Sequence, residues 1–468
     1  MENKKSAPAI RFKRFTGNWR SKRFDKTFSM LCNNTLSRAA LSYEKGSTKN
    51  VHYGDVLIKF GEYTDVTRED IPYISDDKIA DKYITSRLQD GDIVFADTAE
   101  DATAGKCTEL FNVQQQPIIS GLHTIPCRPL FPFSTSYLGY FLNSSAYHNQ
   151  LLPLMQGTKV VGISKTAIKD TCVSFPEDAD EQRAIGNYFQ DIDKLINTSQ
   201  TKLDKLKNIK KACLEKMFSR KGSNTPELRF KGFKKTWKEK KLEDIVDVRS
   251  GRDYKHLVDG NIPVYGTGGY MLSVNAALSY DENAVGIGRK GTIDKPYILY
   301  APFWTVDTLF YAVPRKNNDL NFIYNLFQQV DWRKKDESTG VPSLSKVAIN
   351  SIVINTAGYT EQQIIGVFFE NLDDIIVKID KQINKLKNIK KACLDKTYGG
   401  VYWSVTFDGK PEEDMKHTYN QAFAIYALSS YYDASGDKEA LDIAFSIYDV
   451  IEAHCKDDKG YLEAFDRN

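Results

Sequence analysis

The sequence predicts an α+β protein in which two mixed modules are separated by two long antiparallel helices that pair as a coiled coil. The first observation is a long repeat, residues 181–218 and 361–398, whose copies both open with Glu-Gln and share the segment KLKNIKKACL. The second is a shorter repeat ahead of each helix, in residues 8–24 and 226–242. Two internal repeats in the same order predict two related structural units.

Both copies of the long repeat have the apolar pattern of helices that pair along a narrow seam. Apolar residues recur at alternating steps of four and three, which is typical of coiled coils. A helix of this length extends about 55 Å at 1.5 Å per residue, and its seam must be covered, most simply by the other copy. Two unrelated core helices are the alternative, which the shared sequence disfavours. The predicted seam consists of Ile185, Phe189, Ile192, Ile196, Leu203, Leu206, Ile365, Phe369, Leu372, Ile376, Ile379, Ile383 and Leu386.

The shorter repeat carries matching proline, basic and aromatic residues, and it sets the frame of each module. The matched pairs are Pro8/Pro226, Arg11/Arg229, Phe12/Phe230, Lys13/Lys231, Phe15/Phe233 and Trp19/Trp237. The predicted divisions are a first module with this leading segment at residues 1–177, a first helix at 178–222, a second module at 223–357, a second helix at 358–396 and a tail at 397–468.

Each module mixes strand-like and helix-like segments. β-branched and aromatic runs predict strands, and longer periodic runs predict helices. We predict strands at Val56–Phe60, Asp92–Ala96, Pro117–Cys127, Thr171–Phe175, Ala284–Ile287, Phe303–Val313 and Ser351–Asn355, and helices at Tyr137–Leu152 and Leu320–Val330. Both modules end on a glycine followed by Ser-Lys, in GTKVVGISK and GVPSLSK, which indicates a shared frame with different interiors.

The charge is divided unevenly between the body and the tail of the chain. Residues 397–468 hold 6 Lys and Arg against 14 Asp and Glu, a net −8, whereas the whole chain holds 64 against 61. Residues 1–396 are therefore left with 58 against 47, a net +11. A basic body favours a polyanionic partner, and an acidic tail does not.

Length and cysteine usage limit the class of protein. At 468 residues the chain has room for two or three domains with ample cores. No apolar run approaches the length of a membrane span, and the basic N-terminus lacks the apolar core of a signal peptide. The seven cysteines are odd in number, and no two are spaced as CxxC. We therefore expect reduced thiols, no metal site, no membrane partner and a cytoplasmic location.

No pattern of catalytic residues stands out, and P-loop, Rossmann-type and HExxH motifs are absent from the sequence. The glycine-rich segment VYGTGG at residues 264–269 is either a structural turn or a backbone-rich contact with DNA phosphates. His123 is either a partly buried histidine whose hydrogen bonds are made within the fold, or a functional histidine. We therefore expect no catalytic residues in this chain.

Loops that combine basic and aromatic residues are better candidates for function. The segment RKGTIDK at residues 289–295 places three cations around a turn. Such side chains suit phosphate contacts and guanine recognition in the major groove, and the alternative for each one is a merely solvated surface residue. The candidate DNA-binding residues are Lys59, Arg68, Lys106, Arg128, Lys255, Tyr265, Thr267, Arg289, Lys290 and Lys295.

Over about residues 8–396 the chain resembles the DNA-specificity subunits of type I restriction–modification systems, through both Glu-Gln helix starts, the KLKNIKKACL segments and the leading PELRFKGF-type segment. The resemblance implies two target-recognition domains, each recognising half of a split, asymmetric site in double-stranded DNA. It implies that the helix pair sets the gap between the half-sites and that the subunit is non-catalytic. It also implies two methyltransferase (modification) subunits and motor-nuclease (restriction) subunits as partners, on which S-adenosylmethionine, ATP and Mg are expected.

The tail resembles a second family, the N-acylglucosamine/cellobiose 2-epimerases, whose fold is a toroid of paired helices. The similar segments are YGGVYW at residues 398–403, HTYNQAFAIYALSSYY at 417–432 and GYLEAFDR at 460–467. They correspond to one helical hairpin of the toroid, so we expect a short α-helical hairpin tail without epimerase activity. Its apolar face would contain Phe423, Ile425, Tyr426, Leu428, Tyr431 and Tyr432.

Two alternatives stand beside a DNA-reading subunit. A sugar 2-epimerase with an unusual N-terminal extension rests on the tail alone. A coiled-coil interaction protein without a DNA role rests on the helices alone, and it predicts DNA binding that does not depend on salt. Phosphate contacts predict the opposite, a steep loss of affinity as salt rises.

Overall fold

The chain forms two compact units, and both mix sheets with helices, as expected for an α+β protein. The computed structural model describes residues 11–44, 46–220, 222–336 and 338–393, together with short stretches between residues 416 and 465. Unit 1 comprises residues 1–198 and 383–468, and unit 2 comprises residues 199–382. Each long helix therefore contributes one end to each unit.

Unit 1 is built from short strands and helices that precede the first long helix. In chain order they are β1 (Trp19–Arg23), β2 (Phe28–Met30), β3 (Leu41–Ser42), β4 (Lys49–Val51), α1 (Tyr53–Ile58), β5 (Tyr63–Asp65), β6 (Tyr73–Ile74), α2 (Asp77–Asp81), β7 (Ile93–Ala96), β8 (Thr98–Ala99), β9 (Cys107–Phe111), β10 (Ile118–Ser120), β11 (Thr124–Pro129), α3 (Tyr137–Asn143), α4 (Ser145–Leu151), β12 (Val161–Gly162), α5 (Lys165–Ile168) and β13 (Cys172–Pro176). The long helix α6 follows at Ala179–Met217.

The main sheet of unit 1 has the strand order β2-β11-β7-β9-β5, and a second sheet has the order β10-β4-β6-β3. The central strand β7 is buried along its whole length because all four of its residues, Ile93–Ala96, are apolar. Strand β1 pairs antiparallel with β13, so the leading segment is joined to the strand that precedes the long helix.

Unit 2 repeats this frame in fewer residues. Its elements are β14 (Lys238–Lys241), β15 (Val246–Ser250), β16 (Asp259–Gly266), β17 (Gly269–Val274), β18 (Ala284–Gly288), β19 (Tyr297–Leu299), β20 (Trp304–Thr305), β21 (Leu309–Pro314), α7 (Leu320–Gln329), α8 (Lys346–Asn350), β22 (Val353–Thr356) and the second long helix α9 (Tyr359–Cys393). The main sheet has the order β15-β21-β18-β19, and β17-β16-β20 form a second sheet.

The two main sheets share one topology. The order β15-β21-β18-β19, antiparallel throughout, matches β2-β11-β7-β9 in unit 1. Strand β14 pairs with β22 as β1 pairs with β13. The repeat in the sequence is therefore a repeat in the fold, and the units differ in their second sheets.

The strand predicted at Val56–Phe60 is wrong, because this segment forms helix α1 and its end. Val56 and Phe60 are both buried and lie four residues apart, which is the spacing of one helix face, whereas Ile58 is 85% exposed. An alternating strand would have buried all three side chains on one face. The side chain of His52 caps the helix by accepting a hydrogen bond from the N–H of Gly54 at 3.2 Å.

Three other predicted elements are interrupted by turns. The helix predicted at Tyr137–Leu152 is split into α3 and α4, because the hydroxyl of Ser144 donates to the Phe141 carbonyl at 2.6 Å. The strand predicted at Pro117–Cys127 is divided into β10 and β11 by a turn in which His123 has φ 54°. Likewise, the segment predicted at Phe303–Val313 contains β20 and β21 as separate strands.

The Glu-Gln pair at the start of each long helix ties that helix to its module. Glu181 accepts two hydrogen bonds from the Arg11 guanidinium, at 2.5 and 2.6 Å, and Glu361 accepts two from Arg229, at 2.6 and 2.7 Å. Both carboxylates are buried, and removing one member of a buried ion pair commonly costs about 3–5 kcal/mol. The shorter repeat and the helix starts are therefore two halves of one contact.

The adjacent glutamines complete this junction. Gln182 accepts from the N–H of Ser134 at 2.9 Å and donates to the Pro176 carbonyl at 2.9 Å. Gln362 accepts from the N–H of Asp319 at 3.0 Å and donates to the Ala357 carbonyl at 2.9 Å. Each amide uses its donor and its acceptor, so each helix start is fixed in orientation as well as position.

The two long helices contact each other in the same way inside each unit. In unit 1, Lys390 Nζ lies 2.7 and 2.9 Å from the two carboxylate oxygens of Asp193. In unit 2, Lys210 Nζ lies 2.5 Å from Asp373 Oδ1. Asp193 and Asp373 occupy the same position of the long repeat, as do Lys210 and Lys390. The start of one helix is thus paired with the end of the other in both units.

The residues of the predicted seam are all buried or half-buried. Along α6, Phe189, Ile192 and Leu203 are buried, and along α9 the buried positions are Ile365, Phe369, Leu372, Ile379 and Ile383. The remaining positions, Ile185, Ile196, Leu206, Ile376 and Leu386, are half-buried. Pairing of the helices along their whole length stays a prediction.

Most of the predicted hairpin tail lies outside the described residues, including the segment YGGVYW and the side chains of Phe423, Tyr431 and Tyr432. The described parts include short strands β23 (Lys416–His417), β24 (Lys456–Asp457), β25 (Gly460–Tyr461) and β26 (Ala464–Phe465) and helical residues within 421–429 and 441–452. Among the described helices, none combines the length and the apolar character needed to cross a membrane.

Glu109 introduces a pH dependence into the stability of unit 1. Its carboxylate accepts hydrogen bonds from the N–H groups of Ser136 and Gly139 at 2.7 and 2.9 Å, and burial raises its pKa to about 7. Because this pKa lies above that of an unfolded glutamate, the folded state binds the proton more tightly. The resulting stabilisation is present at low pH and is lost as the pH rises through 7.

We expect the free energy of unfolding to fall by about 1 kcal/mol between pH 6 and pH 8 because of this group. The variant Glu109→Gln, which mimics the neutral acid, is expected to remove that part of the pH dependence. Denaturant titrations at both pH values measure it, with the exposed Glu100→Gln in the same unit as the control. An unchanged pH dependence in Glu109→Gln would contradict the assignment.

Candidate nucleic-acid interface

In unit 2, several loops meet at the short segment Thr305–Thr308, between β20 and β21. The N–H of Arg252 donates to the Thr305 carbonyl at 2.9 Å. The N–H of Arg289 donates to the Thr308 carbonyl at 2.8 Å. The N–H of Val306 donates to the carbonyl of Tyr265 at 3.0 Å. These contacts hold loops that lie 19 to 53 residues earlier in the chain on one surface, which we call the 305–308 surface.

The side chains presented by these loops are mainly cationic. Arg252, Lys255, Arg289 and Lys290 are all exposed. The guanidinium of Arg289 donates to the carbonyl of Asp307 at 3.3 Å and lies 5.7 Å from the ring centroid of Phe310. A planar guanidinium held on a fixed support is suited to a phosphate or to a guanine edge.

The glycine-rich segment forms the turn of the β16–β17 hairpin beside this surface. Tyr265 has ring contacts with Tyr270 and Tyr297 at centroid distances of 6.4 and 6.1 Å, and the Tyr297 hydroxyl donates to the carbonyl of Gly266 at 2.6 Å. Thr267 lies in the turn and is half-buried. This is the placement expected of a structural turn, and the exposed ring of Tyr270 is left facing solvent.

The corresponding place in unit 1 is the end of β7. There the N–H of Ile163 donates to the carbonyl of Asp97 at 2.8 Å, just as Leu344 donates to Arg289 at 2.9 Å in unit 2. Ile163 and Leu344 precede the Ser-Lys pairs that end the two modules. Asp97 and Arg289 therefore hold equivalent positions with opposite charges.

A polar cluster surrounds Asp97. His123 Nδ1 lies 3.2 Å from Asp97 Oδ1, and the N–H of Asp97 donates to the His123 carbonyl at 3.1 Å. Nearby, Lys165 Nζ donates to Asn33 Oδ1 at 3.1 Å. Burial raises the pKa of Asp97, although the neighbouring His123 opposes that shift. The cluster offers both donors and acceptors, in contrast to the cationic surface of unit 2.

The four unit 1 cations predicted to bind DNA have intramolecular partners. Arg128 donates to both carboxylate oxygens of Asp92, at 2.8 and 2.7 Å, and Arg68 does the same with Asp70, at 2.8 and 2.7 Å. Lys59 donates to the Tyr43 hydroxyl, and Lys106 donates to the Leu57 carbonyl, both at 2.9 Å. Burial lowers the pKa of Lys106. Each of these cations has an intramolecular contact that sequence alone did not reveal, and its part in DNA binding stays a prediction.

The unit 2 candidates lie in three places. Lys255, Arg289 and Lys290 lie on loops of the 305–308 surface, and Tyr265 and Thr267 belong to the neighbouring hairpin. Lys295 is exposed and follows Asp294, which accepts a hydrogen bond from Arg333 at 2.6 Å.

Sequence reasoning missed Arg252, Asp97 and Lys165. Arg252 follows Gly251, and a Cβ at that glycine would lie 2.0 Å from the Val306 carbonyl oxygen, which marks the close approach of two loops. A glycine beside basic and aromatic residues could therefore have indicated that Arg252 lies where two loops meet. Asp97 and Lys165 carry no local signal, because they are brought together by the antiparallel pairing of β8 with β12.

One comparison with known proteins matches a segment in the second half of the chain. Residues 234–388 match the type I restriction modification DNA specificity domain. The matched residues are about a third of the chain, and they include the whole 305–308 surface and most of α9.

Two further comparisons extend the similarity of the specificity domain to its surroundings. Over 286 residues the chain is 28% identical to the specificity subunit of the type I restriction enzyme MjaVIII of Methanocaldococcus jannaschii, with 51% of this chain and 64% of that protein covered. The fold is similar to that of the S subunit of a type I restriction-modification system from M. genitalium. That structure has a TM-score of 0.56 and 17% identity, and the match covers 83% of this chain and 98% of that chain.

The end of the chain matches another family. Residues 372–468 match N-acylglucosamine 2-epimerase. The cellobiose 2-epimerase of Ruminococcus albus is 57% identical over 89 residues, which are 19% of this chain and 23% of that enzyme. The chain thus spans about a quarter of the length of the epimerases it matches, and less than two thirds of the specificity subunit.

Proposed function

We propose that this chain is the sequence-specific DNA-binding subunit of a type I restriction–modification complex. Each unit recognises one half of a bipartite target in double-stranded DNA, and the chain holds the methyltransferase and restriction subunits on that target. The observation that carries the proposal is the pair of equivalent positions, Asp97 and Arg289, which present opposite chemistry on the same frame. Two surfaces with shared placement and different chemistry fit two different short sequences.

The unit 2 surface has the composition that DNA recognition requires. Arg252, Lys255, Arg289 and Lys290 supply cations for phosphates, and arginine also suits the O6 and N7 acceptors of guanine. The unit 1 cluster contains the acceptor Asp97, which suits the exocyclic amino group of cytosine, and the donor Lys165, with the His123 ring beside Asp97. A different base preference in each unit follows from these side chains.

The long helices supply the spacing between the half-sites. The matched ion pairs Asp193–Lys390 and Asp373–Lys210 support an antiparallel coiled coil, because each joins the start of one helix to the end of the other. Two recognition surfaces on a stiff spacer bind two half-sites at a fixed separation, as dimeric repressors do with identical halves. The catalytic steps belong to the partners: methyltransferase subunits with S-adenosylmethionine, and restriction subunits with ATP and Mg.

Co-expression with the cognate methyltransferase subunit tests the function. We expect methylated adenines, mapped by sequencing, to fall in one split motif with a fixed gap. Alanine at Arg252 and Arg289 together is expected to relax one half-site and to leave the other intact. Methylation without any sequence preference would overturn the proposal.

A sugar 2-epimerase is the second candidate, favoured by the 57% identity of the tail to a cellobiose 2-epimerase. The match covers 23% of that enzyme, so most of its toroid has no counterpart here. We expect the purified chain to show no epimerisation of cellobiose or N-acylhexosamines. Turnover that is lost in His417→Ala would favour the epimerase instead.

A further inference from the structure

The tail covers an apolar surface on the long helices in unit 1. Ala424, Leu428, Ala444 and Ile447 of the tail are buried in one cluster with side chains from the leading segment and both helices. The helix and leading-segment members of this cluster include Phe12, Ala184, Tyr188, Ile192 and Ile389, and we call them the covered surface.

Two lysines at the rim of the covered surface contact aromatic rings of the tail. Lys13 Nζ lies 4.6 Å from the ring centroid of Phe445, and Lys385 Nζ lies 5.2 Å from that of Tyr426. The tail is acidic, with a net charge of −8 over residues 397–468, and the body that it covers is basic. Apolar packing and charge therefore favour the same docked position.

The repeat places a twin of this surface in unit 2, and the twin is open. Ala184 is 5% exposed, whereas its twin Ile364 is 40% exposed despite a larger apolar side chain. Ile389 is 8% exposed, whereas its twin Ile209 is 42% exposed. The twin of Tyr188 is Phe368, which is half-buried. We call Ile209, Ile364 and Phe368 the open surface.

The rim of the open surface carries the same basic residues as the rim of the covered surface. Lys205 and Lys231 are the twins of Lys385 and Lys13, and both are exposed. Phe230, the twin of Phe12, is half-buried and has its ring centroid 5.8 Å from that of Phe368. The open surface thus has the apolar centre and basic rim that receive an acidic, amphipathic helical segment in unit 1.

We propose that the two surfaces are equivalent docking sites for a helical segment of the methyltransferase subunit, and that the tail occupies one of them. This inference rests on the function proposed above. The consequence is that the full chain binds one methyltransferase subunit, through the open surface, instead of two. The tail acts as an internal competitor because it is tethered to the end of α9 and needs no second molecule.

Substitutions in the full chain test this competition. Leu428→Glu with Ile447→Glu places charges on the buried face of the tail and is expected to release it. Ile209→Glu with Ile364→Glu places charges on the open surface, where both side chains are already exposed. Val347→Glu, at another exposed apolar residue of unit 2, is the matched control.

The number of methyltransferase subunits per chain is measured by light scattering of the purified complexes. We expect one for the unaltered chain and for Val347→Glu, two for the tail variant, and none for the open-surface variant. Two on the unaltered chain, or one on a tail variant with unchanged circular dichroism, would overturn the inference and leave the proposed function standing. No binding by any variant would overturn the proposed function itself.

Hydrogen–deuterium exchange on the unaltered chain provides a test that needs no substitution. Addition of the methyltransferase subunit is expected to protect residues around Ile209 and Ile364 and to leave residues 184–192 unchanged. Protection of both regions would show that the partner displaces the tail and would overturn the inference.

Discussion

A longer gap between the two half-sites is the result expected when both long helices are extended by one heptad. Duplicating residues 196–202 of α6 and the equivalent residues 376–382 of α9 preserves the apolar seam, because seven residues are one full repeat of it. The insertion adds about 10 Å at 1.5 Å per residue, which corresponds to at most about three base pairs at 3.4 Å each. The methylation motif is therefore expected to keep both half-sites and to change only its gap.

Extension of one helix alone is the matched control for this experiment. It shifts the register of the seam and separates Lys390 from Asp193 or Lys210 from Asp373, so we expect methylation to be lost. The insertion points lie where the division between the two units crosses each helix, away from both modules. A motif with an unchanged gap in the doubly extended chain would show that the helices do not set the spacing.

The second large effect is expected on the 305–308 surface. Alanine at Arg252, Arg289 and Lys290 removes three exposed cations without disturbing a buried ion pair. If each contacts a phosphate, the slope of log affinity against log salt is expected to become shallower by about 0.9 per residue, roughly 2.7 in all. Affinity is measured by fluorescence anisotropy on a DNA duplex between low and physiological salt.

Three lysines away from the 305–308 surface provide the control for charge alone. Lys238 and Lys241 are exposed in β14, and Lys316 is exposed just after the end of β21, whereas the 305–308 surface lies at the start of β21. Alanine at these lysines removes the same net charge. An equal change of slope in both triple variants would mean that DNA binding does not depend on this surface.

The sequence was sufficient to predict the structural features that occur in both halves of the chain. The strands β7 and β18 are continuous apolar runs, and the long helices have heptads, so both follow from periodicity alone. The matched pairs Arg11/Arg229 also showed where each module begins, but not that these arginines bind Glu181 and Glu361. That contact joins residues 170 and 132 positions apart, which no local pattern encodes.

The contacts made by the candidate DNA-binding residues show most clearly what local sequence patterns do not predict. Arg128 and Arg289 have the same charge and both follow strand-like segments, yet Arg128 is held by Asp92 whereas Arg289 is presented on an exposed loop. The difference depends on which acid a neighbouring strand brings close. Helix α1 was missed for a related reason, since five residues rich in Val, Leu and Ile suit either a short helix or a strand.

The matched ion pairs also bear on how one chain of the proposed function could recognise two different half-sites. Each long helix carries both an aspartate and a lysine, so each is complementary to a copy of itself in the manner of an isologous dimer. A symmetric dimer must change both of its recognition surfaces with every substitution. Joining the two copies in one chain removes that constraint: Asp97 can be altered without altering Arg289. Covalent duplication thus converts an interface suited to palindromic targets into one that permits asymmetric ones.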